Sequence, residues 1–410
     1  RLASEAFRLR VQRMNVSLLA VDEAHCISQW GYDFRPSYLR IAELRERIPG
    51  VPVLALTASA TPRVADDIME KLRFAEPHLL RSDFSRPNLS YAVRHTDDKN
   101  EQLLRIIRNV GGSGIVYVRT REGAEQVAAF LRDEGISAEY YHGGLGHAER
   151  SMRQEAWISG RTPVMVATNA FGMGIDKPDV RYVVHYTMCD SLESYYQEAG
   201  RAGRDGAKAD CILFYSGQDV ITNQFFIEQD RDNEELTGEA LEEVRRQDRE
   251  RLKKMTFYCH TTDCLRDYML RYFGEFGSNY CGNCSNCLTQ FEVEDVTDMA
   301  RAAVRYVATR PMRFGKSLIA DVLHGGNTER IRQMHLDEDC GYGELSSESV
   351  GRIKDIIGQL CGRGYLATSQ GQYPVVGLGP RAGEVEDEAF AFTVKRRASK
   401  RKASARARRA

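Results

Sequence analysis

Seven short apolar runs recur through the first half of the chain: VSLLAV (16–21), VPVLAL (51–56), GIVYV (114–118), AEYY (138–141), VMVAT (164–168), RYVVHY (181–186) and CILFY (211–215). Runs of this length, rich in β-branched and aromatic residues, read as buried strands. Amphipathic stretches lie between them, for example a helix from Glu122 to Glu134 closed by Gly135. Strands that alternate with helices are joined by crossovers, so the pattern demands parallel α/β sheets. Residues 81–88 (RSDFSRPN) interrupt it, because a residue before proline leaves the helical region and neither flank continues a period there. A hinge between two α/β lobes is expected at that break.

The chain has 410 residues, enough for roughly two to four domains. Its 42% hydrophobic and 28% charged residues are those of a globular protein, and no apolar run reaches the length of a membrane span. The net charge of −1 hides an asymmetry. Residues 395–410 carry nine Lys/Arg and no acid, and taking those nine from −1 leaves −10 on residues 1–394. A basic Ala/Ser-rich tail without apolar periodicity is expected to be disordered over 381–410, either merely solubilising or weakly attractive to polyanions.

The first strand runs directly into Asp22-Glu23-Ala24-His25. An acidic pair at the carboxyl end of a buried strand is where nucleotide-hydrolysing α/β folds hold magnesium and the attacking water. Asp22 suits the metal and Glu23 suits proton removal from that water. No G-x-x-x-x-G-K-[ST] phosphate loop accompanies the pair, since Gly315-Lys316-Ser317 has Arg310 where the first glycine is required and no strand before it. Trp30, Phe34 and Arg35 form an aromatic and cationic cluster beside the acids, suited either to stacking nucleic-acid bases or to packing in the core. Thr57, Ser59 and Thr61 offer hydroxyls to link the lobes, and Thr168 with the Gly172-Met173-Gly174 turn is expected to approach a DNA backbone. Arg201 and Arg204, in GRAGR, are expected at a helix start.

Residues 229–254 are densely charged and read as a solvated helix face. Beyond them Cys281, Cys284 and Cys287 form C-x₂-C-x₂-C, and Cys264 seventeen residues earlier can complete a tetrahedral thiolate site for Zn²⁺. Disulfides are the competing reading, and Cys259 with His260 is the rival source of the fourth ligand. Helices near 297–309, 317–323 and 347–363, followed by a hairpin of 364–369 and 373–378 about Gly371, are the makings of a winged helix or of a generic α+β domain.

Taken in order, these segments resemble the RecQ family of superfamily-two DNA helicases. The resemblance is carried by VDEAH (21–25), CISQWGYDFRPSY (26–38), LTASAT (56–61), FSRPNL (84–89), YHGGL (141–145), ATNAFGMGIDKPDVRYVVHY (167–186), ESYYQEAGRAGRDG (193–206) and the cysteine array. It implies two RecA-like parallel-sheet lobes, at 1–82 and 83–216, with the first incomplete. A helical zinc-binding domain (217–292), a winged helix (293–380) and the tail would follow. It further implies ATP hydrolysis with Mg²⁺, 3′-to-5′ unwinding of duplex DNA in recombination and repair, and a zinc ion. The implied partners are single-stranded and duplex DNA and a single-strand-binding protein, and the implied location is cytoplasmic and nucleoid-associated. His25 would relay between nucleotide and DNA sites, Gln197 would sense nucleotide, and Arg204 would be the arginine finger with Arg201 as its partner. Ser59 stands where the family often has threonine, and Leu265 departs from the arginine pair that often follows the first zinc cysteine. The family's phosphate-loop lysine would precede residue 1, so these residues alone are expected to hydrolyse little ATP and to aggregate through unpaired sheet edges. A non-catalytic DNA-binding or strand-annealing module is the alternative.

Overall fold

The computed structural model describes residues 4–28, 33–96, 98–172, 175–229, 238–309, 314–369 and 375–397. The chain divides into two compact units, 1–289 and 290–410.

In the first unit, α1 (Glu5–Val11), α2 (Arg40–Arg47) and α3 (Pro62–Lys71) accompany two strands, β1 (Leu19–Val21) and β2 (Val53–Ala55). These pair in parallel, Leu19 opposite Val53. Val21, Ala24, Ile27, Val64, Ile68 and Leu72 form the core of this lobe. Leu18, Leu54 and Leu56 stay about half exposed, so apolar surface flanks the two-stranded sheet. Residues 77–86, which include most of the expected break, carry no helix or strand.

The second lobe holds β3 (Leu89–His95), α4 (Lys99–Val110), β4 (Ser113–Tyr117), α5 (Arg121–Asp133), β5 (Ala138–Tyr141), α6 (His147–Ile158), β6 (Val164–Ala167), β7 (Val180–His185), α7 (Leu192–Ala199), β8 (Ala209–Tyr215) and α8 (Gly217–Glu228). Its six strands form one sheet in the order β3-β8-β7-β4-β6-β5. Every pairing in it is parallel. β4 and β6 are buried throughout, which is why they read as unbroken apolar runs. α5 begins on a Thr120 cap, and Gly135 behind it has φ +77°, the left-handed turn expected there.

The charged stretch becomes α9 (Glu239–His260), followed by α10 (Leu265–Tyr272) and the one-turn α11 (Ser285–Leu288). α9 departs from a wholly solvated face, for Val244, Gln247, Asp248, Arg251, Leu252 and Met255 are buried. α11 and α10 abut β3, and Arg266 and Asn283 donate to the carbonyl of Leu89. That cover protects the edge of the sheet.

The second unit contains β9 (Phe291–Asp295), α12 (Thr297–Thr309), α13 (Lys316–His324), α14 (Glu329–Gln333), α15 (Val350–Gly362), β10 (Leu366–Thr368), β11 (Val376–Leu378) and β12 (Thr393–Arg397). β10 and β11 form the expected antiparallel hairpin; Gly371 lies outside the described residues. The expected disorder from residue 381 is corrected: Ala382–Glu386 form a 3-10 turn, and β12 pairs antiparallel with β9. Phe392 and Val394 are buried while Ala391 and Thr393 are exposed, a period-two pattern that a basic composition masks. Among the described residues no helix is long and apolar enough to cross a membrane.

Candidate functional site

β1 ends at Val21, and the chain turns sharply. Glu23 takes the left-handed region at φ 47°, ψ 44°, and its N–H donates to Asp22 Oδ1 at 2.8 Å. A non-glycine residue held there costs of order 1–3 kcal/mol, a strain that clusters at functional sites. Burial, then the charge of Asp22, raises the Glu23 carboxyl above its ordinary range; Arg201 and a hydrogen bond from Gln197 pull it back. His25 is buried, with Nδ1 3.0 Å from Thr57 Oγ1 and 3.4 Å from Glu23 Oε2. Burial lowers its pKa to about 4, so it is neutral at physiological pH.

The second lobe completes the cluster from α7. Gln197 Nε2 donates to Ser59 Oγ at 3.0 Å, a bond between the lobes that the hydroxyl reading anticipates. Thr57 instead serves His25, and Thr61 caps α3. Arg201 donates to the carbonyl of Gly172. The expected helix start for the two arginines is corrected: α7 ends at Ala199, and both lie in the turns beyond it. Arg204 donates to the carbonyl of Ile175 at 2.9 Å and to Asp176 at 3.2 Å, while the charge of Arg201 lowers the pKa of the Glu23 carboxyl.

Several nucleic-acid expectations shift. Phe34 is buried with Val244 of α9, packed against Leu241, so the core reading applies to it and not base stacking. Arg35 pairs with Asp33, and its N–H donates to the Cys26 carbonyl. Thr168 is buried, with its backbone N–H bonded to the Tyr141 carbonyl. Gly172 serves another close approach, since a Cβ there would lie 2.5 Å from Arg201 Nη2. Trp30, Met173 and Gly174 lie outside the described residues.

Two positioning residues escaped the sequence reading. Arg86 donates to the carbonyls of Gly200, Ala202 and Gly203, and Asn88 to those of Gly203 and Ala207. Gly203, at φ +54°, leaves no room for a side chain against Asn88 and Ala207. The FSRPNL segment was a recognisable signal, but nothing local says that it braces a turn over a hundred residues away.

Cys264, Cys281, Cys284 and Cys287 bring their sulfurs within 4.8 Å of one another. Cys264 and Cys284 begin α10 and α11, where backbone N–H groups of Leu265 and Cys287 point at Cys284 Sγ. Asn279, Asn286 and their backbone partners fix the loop around them. Four converging thiols with N–H donors to the sulfur fit a structural zinc ion, which would replace core burial for this small, loop-rich segment. Cys259 stays outside the set, and its carbonyl bonds to His95.

Comparison with known proteins adds names to these parts. The Helicase conserved C-terminal domain matches residues 98–206, the RecQ zinc-binding domain 217–288 and the RQC domain 290–403. The ATP-dependent DNA helicase RecQ of Bacillus subtilis is 40% identical over 378 residues, covering 92% of this chain and 62% of that protein. The Schizosaccharomyces pombe ATP-dependent DNA helicase hus2/rqh1 is 39% identical over 82% of this chain and 25% of its own length. Pasteurella multocida RecQ is 35% identical over 87% and 55% respectively. The chain thus spans between 25% and 62% of the length of these relatives.

Proposed function

Because this chain belongs to the RecQ family of superfamily-two helicases, we propose that it forms the core of an ATP-dependent motor that unwinds duplex DNA with 3′-to-5′ polarity in recombination and repair. The carrying observation is the meeting of Glu23 from one lobe with Gln197 and Arg201 from the other. In this reading Asp22 holds Mg²⁺, whose hard charge suits carboxylate oxygens and would neutralise the phosphates of ATP. Glu23 orients the attacking water and takes its proton; its raised pKa makes it a better base than an open carboxylate. Neutral His25 connects Glu23 to Thr57 without adding charge. Gln197 reports nucleotide from α7, and Arg201 and Arg204 stabilise charge developing on the transferred phosphoryl group, a role worth about 10³–10⁵ in kcat.

Because the reacting groups sit on both lobes, hydrolysis requires their closure, and closure is what moves the strand. The phosphates also need a binding loop, and no G-x-x-x-x-G-K-[ST] motif occurs in the sequence. Single-stranded and duplex DNA are the partners of this reading, with a single-strand-binding protein as an accessory and the nucleoid as the location. The test is unwinding of a duplex bearing a 3′ or a 5′ single-stranded tail, with ATP and with a phosphate-binding loop supplied. Separation of the 3′-tailed duplex alone supports the proposal. DNA binding or annealing with no ATP-driven separation would favour a non-catalytic module instead.

A further inference from the structure

Apart from the turn after β1 and the cysteine-rich loop, one further group of metal-ligand side chains converges among the described residues. His185 ends β7, Cys189 follows in the segment that leads to α7, and Glu198 lies in the last turn of α7. One ligand atom from each lies within 4.8 Å of the other two. His185 Nε2 is 2.9 Å, and Cys189 Sγ 3.4 Å, from the same carboxylate oxygen, Glu198 Oε2. The surroundings hold all three in place. Tyr117 stacks on the His185 ring with centroids 5.4 Å apart, and Tyr195 tilts against it at 4.8 Å. On either side of Cys189, the Met188 carbonyl accepts from Asn223 at 3.0 Å and Asp190 from Arg119 at 2.9 Å.

Imidazole, thiolate and carboxylate together suit zinc, whereas magnesium and calcium take oxygen donors. Around a tetrahedral zinc ion such atoms stand about 3.4–3.6 Å apart, so shifts of less than about 1 Å at each side chain would bring these three onto one ion. The charges also balance, because one thiolate and one carboxylate neutralise a dication that must sit in a buried place. Without a cation, burial pushes the Cys189 thiol well above its ordinary range. Loading would send the thiol proton to solvent and move the imidazole proton from Nε2 to Nδ1. Nδ1 has no hydrogen-bond partner among the described residues, so that move breaks no bond.

We propose that His185, Cys189 and Glu198 form a second metal site, which takes one divalent ion of the zinc class with a water as its fourth ligand. The Glu198 side chain is 14% exposed, which gives that water its access. Three protein ligands hold an ion less tightly than four thiolates do, so this site fills only with added metal and empties on dialysis, whereas the four-cysteine site keeps its ion. Gln197 precedes Glu198 on α7, so a bound ion would tether the helix end that carries it to β7. That consequence rests on the proposed function, whereas the binding itself is read without ATP.

The test is titration of Co²⁺ into the full chain carrying one Zn²⁺ in its four-cysteine site, with protein-bound zinc counted in parallel. Cys340→Ser serves as the background, since it removes an exposed thiol that could bind metal by itself. Expected are the visible bands of tetrahedral cobalt and a thiolate-to-cobalt charge-transfer band, saturating at one equivalent while zinc stays at one per chain. Cys189→Ala should abolish the charge-transfer band, and Glu198→Gln should weaken Co²⁺ binding about tenfold or more. Cys189→Ser keeps the side-chain shape and must also lose the band, which decides the matter if Cys189→Ala unfolds; thermal melts without added metal accompany each variant. Bands that survive in both Cys189 variants, bands that grow only as zinc is lost, or no band at all would overturn the proposal and leave the three side chains as a hydrogen-bonded brace between β7 and α7.

Discussion

Acidification tests how the turn after β1 is held. His25 is buried against Thr57 and Glu23, and its pKa falls from 6.5 to about 4 chiefly through loss of solvent; Asp33 opposes the shift. The folded value lies below the unfolded one, so the contribution of neutral His25 to stability is complete above about pH 6.5 and drains away as the pH falls toward 4. At about 1.4 kcal/mol per tenfold change in proton affinity, the contribution is about 2 kcal/mol lost by pH 5 and roughly 3 kcal/mol lost by pH 4. Carboxylates titrate in the same window, so the informative quantity is a difference between two proteins. Urea unfolding of the wild type and of His25→Gln, measured from pH 7.5 to 4, is expected to give curves offset at high pH by the bond to Thr57, about 1 kcal/mol. The curves should then converge, and cross, as the wild type alone pays for burying a charged imidazole. Parallel curves across the whole range would refute the argument that burial keeps His25 neutral.

Phe34→Ala should destabilise the first unit by about 3 kcal/mol, because the ring is buried against Val244; an unchanged melt with weakened DNA binding would restore the stacking role. Gly172→Ala should lower kcat for ATP by about tenfold or more with little change in KM, since the new methyl displaces Arg201; a proportional rise in KM at constant kcat would show that Arg201 acts in binding alone. Removal of zinc by a chelator should release one ion per chain, fail to do so in Cys281→Ser, and raise amide exchange along β3, whose edge the cysteine-rich segment covers. Slow exchange at β3 after zinc loss would mean that the segment holds its place without the metal.

The strands of the second lobe were legible because β4, β6, β7 and β8 are buried on both faces and leave continuous apolar runs. β3 was not, since it lies at the sheet edge and its burial alternates, with Ser90 and Ala92 between buried Leu89, Tyr91 and Val93. Cysteine spacing pointed directly to the thiolate cluster, because three ligands come from one short loop. The partners of Arg201 and Arg86 could not be read in the same way: each reaches a backbone carbonyl, and carbonyls carry no sequence signature. Phe34 shows the converse, for an aromatic beside an acidic motif looks alike whether it stacks on a base or on Val244, and only tertiary packing separates the two.

The central claim is that Glu23 of the first lobe and the α7 groups of the second act on one ATP molecule. Its most direct test is ATP hydrolysis with and without single-stranded DNA, by the chain supplied with a phosphate-binding loop, comparing wild type with Glu23→Gln. The account predicts DNA-stimulated turnover in the wild type and its loss by several orders of magnitude in Glu23→Gln, with nucleotide binding retained. Equal turnover in the two proteins, or hydrolysis indifferent to DNA, would contradict it.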